Sequence, residues 1–181
     1  MFSDLDFRAD YYRMTNREYR FSLRFIIDFV FRHNVRFMYW VRKRTRTNSF
    51  LSKVQLYRYS RKFGLEVSPT AVFGPGVYLG HPYNITIGDG VRLGRNVNIH
   101  KGATIGVENR GKRAGSPRIG NNVYIGINAT VTGNIQIGDD VMIAPGAFVN
   151  FDVPEHSIVV GNPAVVHHRE NATEGYIRCC I

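Results

Sequence analysis

Residues 119–149 read IGNNVYIGINATVTGNIQIGDDVMIAPGAFV, with an aliphatic residue at every sixth position: Ile119, Ile125, Val131, Ile137, Ile143 and Val149. Neither the helical period of about 3.6 residues nor the strand period of 2 produces a repeat of six. A short strand followed by a tight turn does. Three such units close one triangular coil, and each anchor points into the prism. The pattern extends backwards through Ile87, Leu93, Ile99 and Ile105, and before them Val67, Phe73, Leu79 and Ile85, making fourteen anchors from Val67 to Val149. Gly, Asn and Asp follow the anchors in IGDG, LGRN, IGNN and IGDD, and these residues tolerate the positive φ that tight corners require. The repeat predicts a mainly β chain, a parallel β-helix whose stacked coils bury one continuous aliphatic column.

Two departures interrupt the repeat. Between Ile85 and Ile87 the phase slips by two residues, just after His81-Pro82-Tyr83-Asn84. Between Ile105 and Ile119 the anchors stop, and VENRGKRAGSPR, residues 107–118, is polar, glycine-rich and basic. It is expected to leave the coil as an external loop, and loops on a rigid solenoid are where function concentrates.

Outward from the repeat, residues 1–65 read as helical, because Phe21, Phe25, Ile26, Phe29, Val30, Trp40 and Val41 recur at spacings of three and four with arginines between them. Two or three helices are expected, with breaks near Asn34 and near Asn48-Ser49. They are expected to pack on the β-helix or a sister subunit, with peripheral contact to a membrane as the alternative. The β-helix domain is placed at residues 66–166, and residues 167–181 are expected to form a loosely held C-terminal tail.

The 181 residues, 44% hydrophobic, suffice for a packed domain with an accessory segment. Neither a secretory signal nor a spanning helix is read, and the two cysteines, Cys179 and Cys180, are adjacent. A cytoplasmic location is expected, with peripheral membrane association as a further option. The net charge of +10 implies an anionic partner. Cofactor phosphates and a membrane surface both fit; no nucleic-acid reading motif is present, and no nucleic-acid partner is expected.

His81 is the leading candidate for chemistry. It precedes the phase slip, in a coil whose other corners carry Gly, Asn or Asp, and no corner-forming role is read for it. Histidine supplies a base of near-neutral pKa. His100 is the rival base, expected to face solvent or a neighbouring subunit because it follows the inward Ile99. Glu66 precedes His81 by a little less than one regular coil of three hexapeptides. It would lie one coil below, on nearly the same side, where a carboxylate can orient an imidazole. The loop's cations and backbone N–H groups suit a phosphorylated pantetheine. No metal is expected, since His81 and His100 do not supply the usual three zinc ligands.

From Glu66 to Val166 the chain resembles the left-handed β-helix domain of serine acetyltransferases and their relatives in polysaccharide O-acetylation. The resemblance rests on VSPTAVFGPGVYLGHP, ATIG with the basic loop, SPRIGNNVYIGINATVTGNIQIGDDVMIAPGA and DVPEHSIVVGNPA. It implies a homotrimer with active sites between subunits, acetyl-CoA as donor, His81 as catalytic base and Glu66 as its carboxylate partner. It also implies cofactor contacts at Gly106, Val107, Ile127, Ala129 and Ala144. The acceptor side departs from the family. Gly115 and Ser116 stand where it has an Arg-His pair that holds the acceptor carboxylate, and Gly80 stands where it has an aspartate. His100, Arg113 and Ser116 are left as candidate substrate contacts, with Arg113 or Arg118 as substitutes for the clamp. The expected function is acetyl transfer to a hydroxyl of a sugar or glycan in surface polysaccharide biosynthesis. The alternatives are serine O-acetylation, for which the terminal Ile181 is a weak sign because serine acetyltransferases dock a C-terminal isoleucine into a sulfhydrylase, and a non-catalytic β-helix assembly protein.

Overall fold

The computed structural model describes residues 4–181. The described residues open with helices α1 (Leu5–Thr15), α2 (Leu23–Phe31), α3 (His33–Thr47) and α4 (Phe50–Phe63). That is one more than the sequence suggested. The expected break at Asn48 is present, as a left-handed residue ending α3. The break expected near Asn34 falls at Arg32, whose extended backbone separates α2 from α3, and a further break begins at Asn16, also left-handed. Asp4 and Ser22 cap α1 and α2 by accepting backbone N–H groups of their first turns.

Short strands then wind into three faces. The first holds β1 (Leu65–Val67), β4 (Ile85–Ile87), β7 (Thr104–Gly106), β10 (Thr130–Thr132) and β13 (Phe148–Val149). The second holds β2 (Val72–Phe73), β5 (Arg92–Leu93), β8 (Arg118–Ile119) and β11 (Gln136–Ile137). The third holds β3 (Tyr78–Gly80), β6 (Asn98–His100), β9 (Tyr124–Ile125), β12 (Val141–Ile143) and β14 (Ser157–Val160), and β15 (Val165–His168) closes it antiparallel. All other pairs are parallel, so the chain is a parallel β-helix.

The register explains both interruptions. Thr86 pairs with Thr104 and Thr130 with Phe148, in each case a regular turn of three hexapeptides. Leu65 pairs with Ile85, and Thr104 with Thr130, so these two turns are longer than the regular one. One coil thus carries a two-residue insertion at the His81 corner and another an eight-residue insertion in the basic loop.

Of the fourteen anchors, thirteen are buried and Val67 is half-buried. A second inward ring, two residues before the anchors, was not read from the sequence: Val91, Val97, Ala103, Val123, Ala129 and Val141 are all wholly buried. Ile85 belongs to this ring, two residues before the anchor Ile87, so both point inward across the phase slip. Fully burying one aliphatic side chain stabilises by about 1.5–3 kcal/mol.

The helices do pack on the β-helix, and arginines fasten them. Arg42 of α3 donates from Nε and Nη2 to Asp10 of α1 at 2.8 and 2.9 Å, and from Nη1 and Nη2 to the carbonyls of Phe73 and Gly74, both at 2.7 Å. Asp10 also accepts the Val77 N–H at 2.8 Å. Arg13 donates to the carbonyls of Gly76 and Arg178 and to Asn98 Oδ1. The C-terminal residues are pinned, where a loose tail was expected. Asp140 accepts from the backbone of Ala172 and Thr173, Asn98 Nδ2 donates to the Tyr176 carbonyl, and Asn96 exchanges hydrogen bonds with the backbone of Ile181.

Candidate active site

His81 follows β3 on the edge between the third and first faces. Its side chain is exposed, and its backbone is left-handed at φ 48°. Contrary to the sequence reading, His81 helps form its own corner, in a conformation the other corners give to Asn96, Asn122, Asn128 and Asp140. The Tyr83 N–H donates to the His81 carbonyl at 2.8 Å, and Lys101 N–H to the Gly80 carbonyl at 3.0 Å, tying the corner to the next coil. From the helices, His33 Nε2 lies 3.3 Å from the Pro82 carbonyl and stacks on Phe63, which also meets Tyr83 edge-on. The insertion is therefore braced from both sides, while the imidazole of His81 stays open to solvent.

Glu66 lies on the outward side of β1, exposed, and accepts from Ser60 Oγ at 3.3 Å. Among the described residues no hydrogen bond or ion pair joins it to His81. Glu66 turns instead to α4 through Ser60, and its strand neighbour in the next coil is Thr86, beyond His81.

His100 is half-buried, and one of its two ring nitrogens is shut off from solvent. Its ring packs 4.6 Å from that of Tyr124, and Nε2 is buried without a hydrogen-bond partner. A Cβ on Gly80 would stand 2.4 Å from His100 Nδ1, so the imidazole occupies the space that a side chain at 80 would need. Burial, then the neighbouring His81, lowers the His100 pKa and keeps it neutral at pH 7. His100 packs beneath the His81 corner and also lines a cavity with Tyr78, Asn98 and Tyr124.

The basic loop leaves the coil at Val107 but returns earlier than expected, since the Pro117 carbonyl already accepts from Arg92 N–H. Glu108 and Gly115 exchange two backbone hydrogen bonds at its neck, of 3.0 and 2.8 Å, and a single 3-10 turn at Gly111–Arg113 forms its tip. Arg110, Lys112 and Arg113 are exposed, and among the described residues none of them forms an ion pair. Ser116 Oγ donates to the Asp89 carbonyl at 2.5 Å. Gly115 has φ 133°, and a Cβ there would meet Asn134 Cβ at 2.9 Å, so it leaves no room for a side chain.

The expected donor contacts divide between two edges. Gly106 and Val107 lie at the loop neck, on the edge between the first and second faces. Ile127 and Ala144 lie on the His81 edge, one above the other, with Gly146 N–H donating to the Ile127 carbonyl at 2.9 Å. Ala129 is wholly buried; its N–H donates to the Gly126 carbonyl and its carbonyl accepts from Thr104, so its side chain belongs to the core. The fold thus brings His81, Ile127 and Ala144 onto one edge and places Gly106, Val107, Arg113 and Ser116 on another. Among the described residues no three His, Cys, Asp or Glu side chains converge on a metal position.

Coils of hexapeptide repeats, interrupted by an exposed histidine corner and by a folded basic loop, define the class by fold: a hexapeptide-repeat parallel β-helix. Residues 116–150 match the family model described as bacterial transferase hexapeptide (six repeats). The chain is similar to serine acetyltransferase 2 of Arabidopsis thaliana, 41% identical over 109 residues, which are 59% of this chain and 33% of that protein. It is 38% identical over 101 residues to the serine acetyltransferase of Helicobacter pylori, 56% of this chain and 59% of the relative. The chain therefore spans less than two thirds of these relatives. Among solved structures, it superposes on serine acetyltransferase of Neisseria gonorrhoeae in complex with serine with a TM-score of 0.72, at 31% identity over 90% of this chain and 66% of that one. It also superposes on soybean serine acetyltransferase complexed with serine with a TM-score of 0.71, at 26% identity over 90% of this chain and 67% of that one.

Proposed function

We propose that the protein transfers an acetyl group from acetyl-CoA to an acceptor hydroxyl, with His81 as general base. The observation that carries this reading is the open His81 imidazole on a rigid, doubly braced corner of a β-helix whose relatives are acetyltransferases. His81 takes the proton from the acceptor hydroxyl as its oxygen attacks the thioester carbonyl. The C–S bond then breaks, and the imidazolium returns the proton to the departing thiolate. Backbone N–H groups of the assembled site are suited to hold the oxyanion. Arg110, Lys112 and Arg113, all exposed, suit the phosphates of coenzyme A.

Because the His81 edge and the loop edge are separate in one subunit, the site is proposed to form between subunits of a homotrimer, one contributing His81 and its neighbour the loop. Glu66 is proposed as a positioning carboxylate for His81 that engages once the interface forms.

L-Serine is the acceptor supported by the relatives, whose names and bound ligand specify it. It is the reading the sequence analysis placed second. A sugar or glycan hydroxyl is the second reading, and the acceptor side favours it. The space at Gly80 is filled by a neutral imidazole, Gly115 leaves no room for a side chain, and the Ser116 hydroxyl is turned to a backbone carbonyl. Those three positions offer no charged contact to the carboxylate or ammonium of an amino acid, and losing a hydrogen bond to a charged group costs about 1.5–3 kcal/mol. Coenzyme A release from acetyl-CoA, with L-serine and with a panel of nucleotide sugars and glycans, decides between them. Serine-dependent turnover supports the first acceptor and turnover with a sugar alone the second; turnover with neither refutes the transferase reading.

A further inference from the structure

Helix α2 carries two apolar faces, and only one is used. At about 100° per residue, Phe25 and Phe29 point inward together with Asp28, while Ile26, Val30, Leu23, Ile27 and Phe31 occupy an arc of about 140° on the other side. All five of these are exposed, Leu23 at 74% and Phe31 at 79%, and Phe21, just before the cap, is exposed at 73%. An apolar patch of this kind on a chain with an otherwise packed core marks an interaction surface.

The charges around α2 say what covers it. Arg17, Arg24 and Arg32 all converge on the buried carboxylate of Asp28, at 3.2, 3.9 and 3.0 Å, and each arginine side chain remains 41% exposed or more. Among the described residues Arg20 pairs with Glu18, and Arg36 donates to the Val30 carbonyl and to Tyr59 Oη. Five arginines against two carboxylates leave an excess of three positive charges on the rim. Beside α2, a cleft of about 350 Å³ is lined by Arg36, Arg58 and Lys62 with Trp40 and Tyr59, and no carboxylate lines it. A second copy docking face to face would set these cations against one another. An anionic surface with an apolar interior satisfies both the rim and the arc.

We infer that α2 and the adjoining basic cleft dock the protein onto an anionic phospholipid bilayer, with the α2 arc entering the headgroup boundary and Arg36, Arg58 and Lys62 meeting lipid phosphate. The nine residues of α2 lie in the interface and do not cross it, and among the described residues no helix is long and apolar enough to span a membrane. Each cation near an anionic surface adds to the attraction, which falls away within a Debye length. Docking also has a consequence for the proposed site. α2 ends at Phe31, two residues before His33, whose imidazole touches the carbonyl next to His81. That part of the inference rests on the proposed transferase reading and places the catalytic corner near lipid-borne acceptors.

The test is co-sedimentation of the full chain with vesicles of phosphatidylcholine alone and of phosphatidylcholine mixed with phosphatidylglycerol. The wild type should sediment with the anionic vesicles, release at about 0.5 M salt and leave neutral vesicles largely unbound. The pairs Ile27→Glu/Phe31→Glu and Arg58→Glu/Lys62→Glu should each weaken binding about tenfold or more, with circular dichroism confirming the fold. Equal sedimentation with neutral vesicles, or unchanged binding of both variants, overturns the inference. So does a wild type that assembles through α2 without lipid, seen as a mass in light scattering that Ile27→Glu/Phe31→Glu reduces, because a second copy is then the occupant. Coenzyme A release with a soluble acceptor should be unchanged in both variants, so a failure of docking and a failure of the transferase reading are told apart.

Discussion

In the β-helix each coil repeats the same inward rings, so that on the third face Leu79, Ile99, Ile125, Ile143 and Val159 stack in register. The helical cap repeats nothing, and instead hangs on Arg42 and Arg13, which reach from α3 and α1 to backbone carbonyls of the lower coils. Apolar stacking is non-directional, and a defect in it leaves a cavity in one coil. A buried guanidinium is directional, and its loss strands every group it served. The same chain therefore couples a stiff, additive scaffold to a cap that shares its apolar core and is fastened in addition by a few directional contacts, with the His81 corner at the seam between them.

The largest effect that would sharpen this contrast is expected for Arg42→Ala. It leaves Asp10 buried without its ion pair and two carbonyls without donors, and chemical denaturation should show a loss of about 3–5 kcal/mol. Ile125→Ala, in the centre of the wholly buried column, should cost roughly 2–4 kcal/mol by the same measurement. A larger loss there than for Arg42→Ala would break the comparison.

Gly80→Ala is expected to cost about 1–3 kcal/mol, because its Cβ meets His100 Nδ1 at 2.4 Å and Cε1 at 2.5 Å. Most of that cost should vanish in a His100→Ala background, and a thermal-unfolding cycle over the four proteins checks it. Additive effects would mean that the two residues do not compete for one space.

The smallest effect concerns the tail and depends on pH. His156 Nδ1 lies 2.9 Å from Asp140 Oδ2, and that hydrogen bond, helped by Glu170, raises the His156 pKa. A raised histidine contributes stability that is present below its unfolded pKa of about 6.5 and is lost as pH rises through the folded value. Burial alone would raise the Asp140 pKa, but hydrogen bonds from Thr173, His156 and the Thr173 and Ala172 backbone outweigh it and lower it. Its contribution is present above the unfolded carboxylate pKa and disappears in acid. Amide exchange at residues 172 and 173 should therefore show protection, corrected for intrinsic rates, greatest between these limits and declining somewhat on raising the pH above the His156 transition. No change across that transition would remove His156 from the latch.

What the sequence revealed divides along the same line. The aliphatic anchors were legible because few chain geometries besides a three-sided coil turn the same side inward every six residues, and both interruptions surfaced as breaks in that phase. The second ring was hidden because Ala103, Ala129 and Ala147 are small and carry little hydropathic signal; the alternation of Val97 with Ile99 and Val123 with Ile125 contained it. The pinned tail is held by Asn96 and Asp140, which read as ordinary corner residues, and by Asn98 within β6. The spacing of Glu66 and His81 suggested proximity around one coil, but chain spacing does not tell where a side chain turns, and Glu66 turns to Ser60 of α4. His100 was assigned outward by strand alternation, which is correct for its direction, but nothing in alternation shows that a neighbouring glycine gives the ring a seat. In α2, mixed Phe, Ile and Arg gave a helical period without telling which apolar face would remain uncovered.

The central claim is that His81 performs the proton transfer, and the most direct test is coenzyme A release by His81→Asn, since asparagine also accepts the left-handed backbone of that corner. With an acceptor that supports wild-type turnover, the variant should keep its fold and its binding of acetyl-CoA while losing about 10²–10⁴-fold in kcat. Turnover within a few-fold of wild type would contradict the account and move the base elsewhere.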